Sequence, residues 1–264
     1  MKVSRPTIDT SIISFEGPNV LLQYNGSDAL YRCHRASSQL FIDAYTCDKT
    51  GRIIIAHNDQ GITSSDVYNI FDYKHLAHKC FPDHDFSNHD YDLVCITLQK
   101  LGNQHYEYDK LYWSGTAQST LRKKFMDIKS DRIISRDLLS QFGTHINEEE
   151  VRKLNLREEQ SKYKYIIEIP GGVDDEEAGS YRIKYLLHSK RLIFLVERQL
   201  YDWVSCKMVP FVHYIPVKDD FSDLFEKIEW ADTHPEEVEQ IITNATKLAP
   251  FRNDAINQIK LLLN

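Results

Sequence analysis

Lys164-Tyr165-Ile166-Ile167-Glu168-Ile169-Pro170-Gly171-Gly172 is an apolar, β-branched run stopped by proline and glycine, the pattern of a buried strand. Soon after it, Gly179-Ser180-Tyr181-Arg182-Ile183-Lys184-Tyr185-Leu186-Leu187 reads as a helix start. Ser180 is a natural N-cap, and Ile183, Leu186 and Leu187 share one apolar face. Strand, glycine loop and helix in succession predict an α/β fold, in which ligands collect at the carboxyl ends of strands. Arginine is unfavourable in the first turn of a helix unless an anion sits there. Arg182 beside the Ser180 cap therefore suits a diphosphate, where free N–H groups, dipole and guanidinium converge.

Similar punctuation recurs along the chain. Arg52–Ala56 reads as a buried strand ending in the polar turn His57-Asn58-Asp59-Gln60-Gly61. A carboxylate there can act as a general base, or Asp59 can simply hold an Asx-turn. Asp92–Thr97 reads as a second strand. Lys110–Trp113 reads as a third, closed by Ser114-Gly115-Thr116 and followed by a helix from Ser119 to Ile128 that carries Arg122, Lys123 and Lys124. That turn can present N–H groups to phosphate, or be an ordinary capped helix start. Arg191–Val196 and Phe211–Ile215 complete the strands. Asn147–Gln160 reads as an exposed charged helix. From Pro235 the spacing is helical, with a break at Pro250.

The chain has 264 residues, 42% hydrophobic and 27% charged, with a net charge of −7. That length admits one large or two small domains, and the acidity argues against general nucleic-acid or anionic-membrane binding. No apolar run approaches the roughly 18 residues of a membrane span, and Met1–Pro6 is not followed by a signal core. A soluble, cytoplasmic protein is expected. Five scattered cysteines without a C-x-x-C pair suggest free thiols. His75, His78, Cys80, Asp83, His84, Asp85, His89, Asp90 and Asp92 crowd one stretch, but in no spacing that matches a metal site, so no metal ligand is assigned.

Several motifs in register carry a resemblance. Ser161-Lys162-Tyr163-Lys164-Tyr165, Gly179–Leu187, Val212-His213-Tyr214-Ile215-Pro216-Val217-Lys218 and Phe221-Ser222-Asp223-Leu224 together resemble glycosyltransferase family 90, which includes lipopolysaccharide-modifying enzymes and protein O-glucosyl- and xylosyltransferases. Upstream, Tyr112–Thr116 with Arg122, Phe81-Pro82-Asp83 and Ile54–Asp59 are similar to further blocks of that family. The first 50 residues resemble nothing nameable.

The resemblance implies a GT-B fold, two Rossmann-like lobes with a cleft between them. Residues 1–105 would form the acceptor lobe and 106–235 the donor lobe, with helices in 236–264 able to cross back to the first. It implies inverting transfer of xylose or glucose from a UDP-sugar to a hydroxyl of a glycan, lipid-linked saccharide or lipopolysaccharide acceptor, with no obligatory cofactor or metal. Carried over by motif, Asp59 would be the base. Arg182, with Ser180 and Tyr181, would hold the donor diphosphate, and Gly115, Thr116 and Arg122 would lie nearby. Ser114 stands where the family has arginine, and the loop Asp174-Asp175-Glu176-Glu177 is unusually acidic. Two alternatives follow: a non-catalytic nucleotide-sugar or glycan binder, and a metal-dependent hydrolase built on the cluster at 75–92.

Overall fold

The computed structural model describes residues 10–26, 31–46, 49–56, 67–70, 72–73, 77–138, 159–171 and 181–263. Its strands are β1 (Thr10–Glu16), β2 (Asn19–Asn25), β3 (Thr50–Ala56), β4 (Val67–Asn69), β5 (Asp72–Tyr73), β6 (Tyr108–Gly115), β7 (Ile133–Asp137), β8 (Tyr163–Glu168), β9 (Leu192–Val196), β10 (Leu200–Tyr201) and β11 (Ile215–Val217). Its helices are α1 (Tyr31–Ala44), α2 (Tyr91–Gly102), α3 (Thr120–Asp127), α4 (Ile183–Leu186), α5 (Leu224–Thr233), α6 (Pro235–Leu248) and α7 (Arg252–Leu262). Strands and helices mix in both parts of the molecule, so the α/β class holds. One unit comprises Met1–Tyr91, Leu200–Cys206 and Pro250–Asn264, and the other Asp92–Gln199 and Lys207–Ala249.

In the first unit, β1 pairs antiparallel with β2 and β3, and β3 pairs parallel with β4, giving the order β2-β1-β3-β4. Ser11, Ile13 and Phe15 alternate inward from β1, the period-two pattern of a sheet with one covered face. Phe41 of α1 packs on Phe15 with ring centroids 5.4 Å apart, and His34 is hydrogen bonded to Ser11 Oγ at 2.8 Å. Helix α7 is anchored in the same unit. Lys49 Nζ donates to Leu263 O at 2.7 Å, and Tyr91 OH to Pro250 O at 3.0 Å.

The second unit is built on a parallel sheet ordered β11-β9-β8-β6-β7. Taken by chain order within the unit this is 2-1-3-4-5, a doubly wound topology. Leu111, Trp113, Tyr165, Ile167 and Phe194 form one core face with residues of α3, α5 and α6. Ile166, Ile193 and Leu195, pointing the other way, are equally buried. Parallel strands covered on both faces read as continuous apolar runs, which is why β8 and β9 are legible in the sequence. The amino ends of β6 and β8 are clamped by charge: Asp232 of α5 accepts from Lys164 Nζ, Tyr165 OH and Arg132 Nη2, each at 2.7 Å. Lys164 also pairs with Asp109 at 3.0 Å.

Three expectations are corrected. Asp92–Thr97 lies in helix α2, not a strand: Tyr91, Val94, Cys95 and Leu98 are buried at helical spacing, while Leu93 stays 62% exposed. The helix expected from Ser180 is one turn, α4, with Arg182 at its N-cap position, and a single turn sums too few peptide dipoles to hold an anion. The run Phe211–Tyr214 is a turn rather than strand. Phe211 adopts a left-handed backbone (φ 59°), and its N–H donates to Tyr214 O at 2.7 Å, so β11 begins only at Ile215. Residues 147–158 of the expected exposed helix, and the loop Asp174–Glu177, lie outside the described residues.

Candidate functional site

In a doubly wound sheet, a crevice opens where successive connections leave in opposite directions, outside the carboxyl ends of the strands. Here the chain passes from β6 to β7 on one side and resumes at β8 on the other. The switch point is therefore bounded by Ser114-Gly115-Thr116 at the carboxyl end of β6 and by Glu168-Ile169 at that of β8.

Both predicted arginines reach this point. Ser119 caps α3, its hydroxyl accepting from Arg122 N at 3.3 Å. Arg122 then folds back over the strand ends. Its Nη1 donates to Thr116 O at 3.1 Å and its Nη2 to Ile169 O at 3.2 Å, with the guanidinium 5.9 Å from the Trp113 ring centroid. Its Nε has no hydrogen bond among the described residues. Arg182 grips the other side, donating from Nε to Glu168 Oε2 at 2.8 Å, from Nη2 to the same oxygen, and from Nη1 to Ser114 O.

Burial pulls the Arg122 guanidinium down to about 10. The Glu168 carboxylate opposes that fall, and the positive charges of Arg182 and Arg198 add to it. Arg122 remains charged at neutral pH, but in a setting that disfavours its charge. Arg122 and Arg182 thus bring two guanidinium groups to the switch point beside one fully buried carboxylate, with the charge of Arg198 felt at Arg122, a setting that an anion would stabilise.

Sequence reasoning missed Glu168 and Arg198. The signal existed: each is a charged residue at or just past the carboxyl end of an apolar strand, the rule that singled out Asp59. The other predicted residues divide as follows. Gly115 and Thr116 close β6, where Ala117 N donates to Asp137 Oδ1 at 3.0 Å. A Cβ on Gly115 would come within 2.8 Å of the buried Trp113 ring, so packing alone requires glycine there. Tyr181 flanks Arg182, and its carbonyl accepts from Lys184 Nζ at 2.6 Å. Ser180 and Asp59 lie outside the described residues, and β3 ends three positions before Asp59.

Of the acidic and histidine-rich stretch, His75 and the side chain of His78 lie outside the described residues, and Asp92 belongs to the second unit. Asp83 accepts from Asp85 N at 2.8 Å and caps a short 3₁₀ turn, while His89 and Asp90 are exposed. Among the described residues no group of three or more His, Cys, Asp or Glu side chains is placed to hold a metal ion. Cys33, Cys80 and Cys95 are buried and Cys206 is partly buried.

Fold and site together define an α/β protein with Arg122, Arg182 and the buried Glu168 gathered at the switch point of a parallel sheet. Residues 50–256, well over half of the chain, match the family model for glycosyl transferase family 90. The chain belongs to that family. It is 41% identical over 80 residues to protein O-glucosyltransferase 2 of Danio rerio, a match covering 30% of this chain and 15% of that protein. It is 38% identical over 97 residues to uncharacterized protein 179R of Invertebrate iridescent virus 6, covering 34% and 8%. With protein O-glucosyltransferase 3 of Homo sapiens the identity is 32% over 88 residues, covering 33% and 16%. The matched stretches thus span less than a fifth of each of these relatives. No helix among the described residues is long and apolar enough to cross a membrane.

Proposed function

We propose that the protein is an inverting glycosyltransferase of GT-B type that uses a UDP-sugar. The observation that carries this reading is the meeting of Arg122 and Arg182 at the ends of β6 and β8, beside the buried Glu168 and within reach of the charge of Arg198. Breaking the bond between the sugar's anomeric carbon and the diphosphate leaves negative charge on UDP, and preorganised cations beside that oxygen lower the barrier. Arg122 and Arg182, with the Gly115-Thr116 turn and the segment Ser180-Tyr181, form the diphosphate site. Arg198 adds the charge that Ser114 does not supply. Asp59, carried over from the family motif, takes the proton of the acceptor hydroxyl as that oxygen attacks the anomeric carbon from the opposite face. The names of the O-glucosyltransferase relatives favour glucose over xylose as the transferred sugar. A glycan, lipid-linked saccharide or lipopolysaccharide supplies the hydroxyl.

The test is calorimetry with UDP, GDP, UDP-glucose and UDP-xylose, followed by transfer assays on Asp59→Asn. UDP and a UDP-sugar should bind and GDP should not; Asp59→Asn should bind UDP as wild type does and lose transfer. Turnover retained in Asp59→Asn would remove that residue from the base role. Equal binding of GDP would overturn the donor assignment.

A further inference from the structure

Glu168 is the one charged residue in an otherwise apolar strand end. Ile166, Ile167 and Ile169 around it are buried, and Glu168 itself is 0% exposed. An aliphatic side chain there would serve the core as well, because a carboxylate taken out of water must be repaid by close pairing. Its pairing is specific: Nε and Nη2 of Arg182 both donate to Glu168 Oε2, while Nη1 donates to the carbonyl of Ser114 on the neighbouring strand. The planar guanidinium is thereby held along two edges by groups from β8 and β6, the strands that bound the switch point. Arg182 needs this restraint, since it sits at the start of a one-turn helix that offers its side chain no capping bond.

We infer that Glu168 is a positioning residue, acting through Arg182 to aim the guanidinium at the leaving diphosphate and to set the charge of the arginine cluster. The inference rests on the diphosphate reading above. The carboxylate offsets part of the positive charge that Arg122 and Arg182 bring to a bound diphosphate. Glu168→Gln keeps the shape and one acceptor oxygen for Arg182 but removes the negative charge that strengthens those bonds. The site then becomes more positive overall while Arg182 is held less firmly, by neutral rather than charge-assisted bonds. Ground-state binding and turnover should separate, because only contacts that strengthen in the transition state govern kcat.

The experiment compares wild type, Glu168→Gln and Glu168→Asp by UDP calorimetry, by UDP release from UDP-glucose with water as acceptor, and by the ³¹P resonances of bound UDP. The expected result for Glu168→Gln is a UDP Kd within about 3-fold of wild type, a fall in UDP release of at least about 10-fold, and a shifted β-phosphate resonance. Glu168→Asp, which keeps the charge, should recover part of the release rate. Release within about 2-fold of wild type in Glu168→Gln, or an unchanged β-phosphate resonance should hydrolysis be too slow to follow, would overturn the inference. So would a parallel loss of affinity, turnover and melting temperature, the mark of a structural role alone. Failure of the wild type to bind UDP would instead strike the diphosphate reading itself.

Discussion

Replacing Arg182 by alanine should damage the fold as well as ligand binding, and the structure indicates by how much. The Glu168 side chain is 0% exposed and that of Arg182 21%, so Arg182→Ala takes from a buried carboxylate the guanidinium that donates two bonds to it. Removing one member of a buried pair typically costs about 3–5 kcal/mol. Arg122 and Arg198 remain close enough to interact with the site, which places the expected loss near the lower end, about 3 kcal/mol. In urea, with a slope of roughly 2 kcal/mol per molar, the unfolding midpoint of this unit should fall by about 1.5 M. The assay is equilibrium denaturation followed by tryptophan fluorescence and circular dichroism, with Trp113 buried in the affected core. Adding Glu168→Gln to Arg182→Ala removes the buried charge that has lost this guanidinium and should restore about 2 kcal/mol. A loss under about 0.5 kcal/mol in the single variant, or no recovery in the double, would refute the claim that the two side chains depend on each other. Under conditions where Arg182→Ala stays folded, its UDP affinity should be weaker by about 2–3 kcal/mol.

The Asp232 clamp and the Gly102 contact give further outcomes. Burial opposes ionisation of Asp232, but hydrogen bonds from Lys164, Tyr165 and Arg132 outweigh it and hold the carboxyl below its usual range. Its contribution is therefore complete above the unfolded value of about 4 and is lost as pH falls through the folded value. Asp232→Asn should cost about 2 kcal/mol at neutral pH, and denaturation midpoints of the two proteins should converge in acid; a gap independent of pH would show that charge is irrelevant there. Gly102 ends α2 against the backbone of the Ser189-Lys190 turn, where an added Cβ would lie 2.1 Å from Ser189 O. Its carbonyl also accepts from Arg191 Nη1 at 2.7 Å. Gly102→Ala should lower stability by at least about 1–3 kcal/mol, readable as a drop in melting temperature; an unchanged melting temperature would contradict this close approach.

Legibility followed burial. Strands β8 and β9 were readable because parallel strands covered on both faces are apolar at every position, and α3 and α6 because caps and proline mark their starts. Helix α2 was misread because Leu93, Val94 and Ile96 look like strand until burial reveals that Leu93 and Ile96 face outward. The hairpin β1–β2 went unread: β2 is mostly exposed, with Leu21 59% exposed, so apolar alternation is lost on that strand. Within the site, Arg122 and Arg182 were legible as cations next to turns, but not what they bind. The Lys164-Tyr165 motif, prominent in the sequence, serves the clamp at the amino ends of the strands rather than the switch point.

By itself the sequence determined the α/β class, the main parallel strands and a short set of candidate anion-binding residues, because periodicity and turn chemistry are local properties of the chain. Only the tertiary structure decided that Arg122 and Arg182 meet beside Glu168. Arg122 lies on a segment well separated in sequence from the other two, and it is the pairing of β6 with β8 in the sheet, set by packing of both faces, that brings their charges to one place.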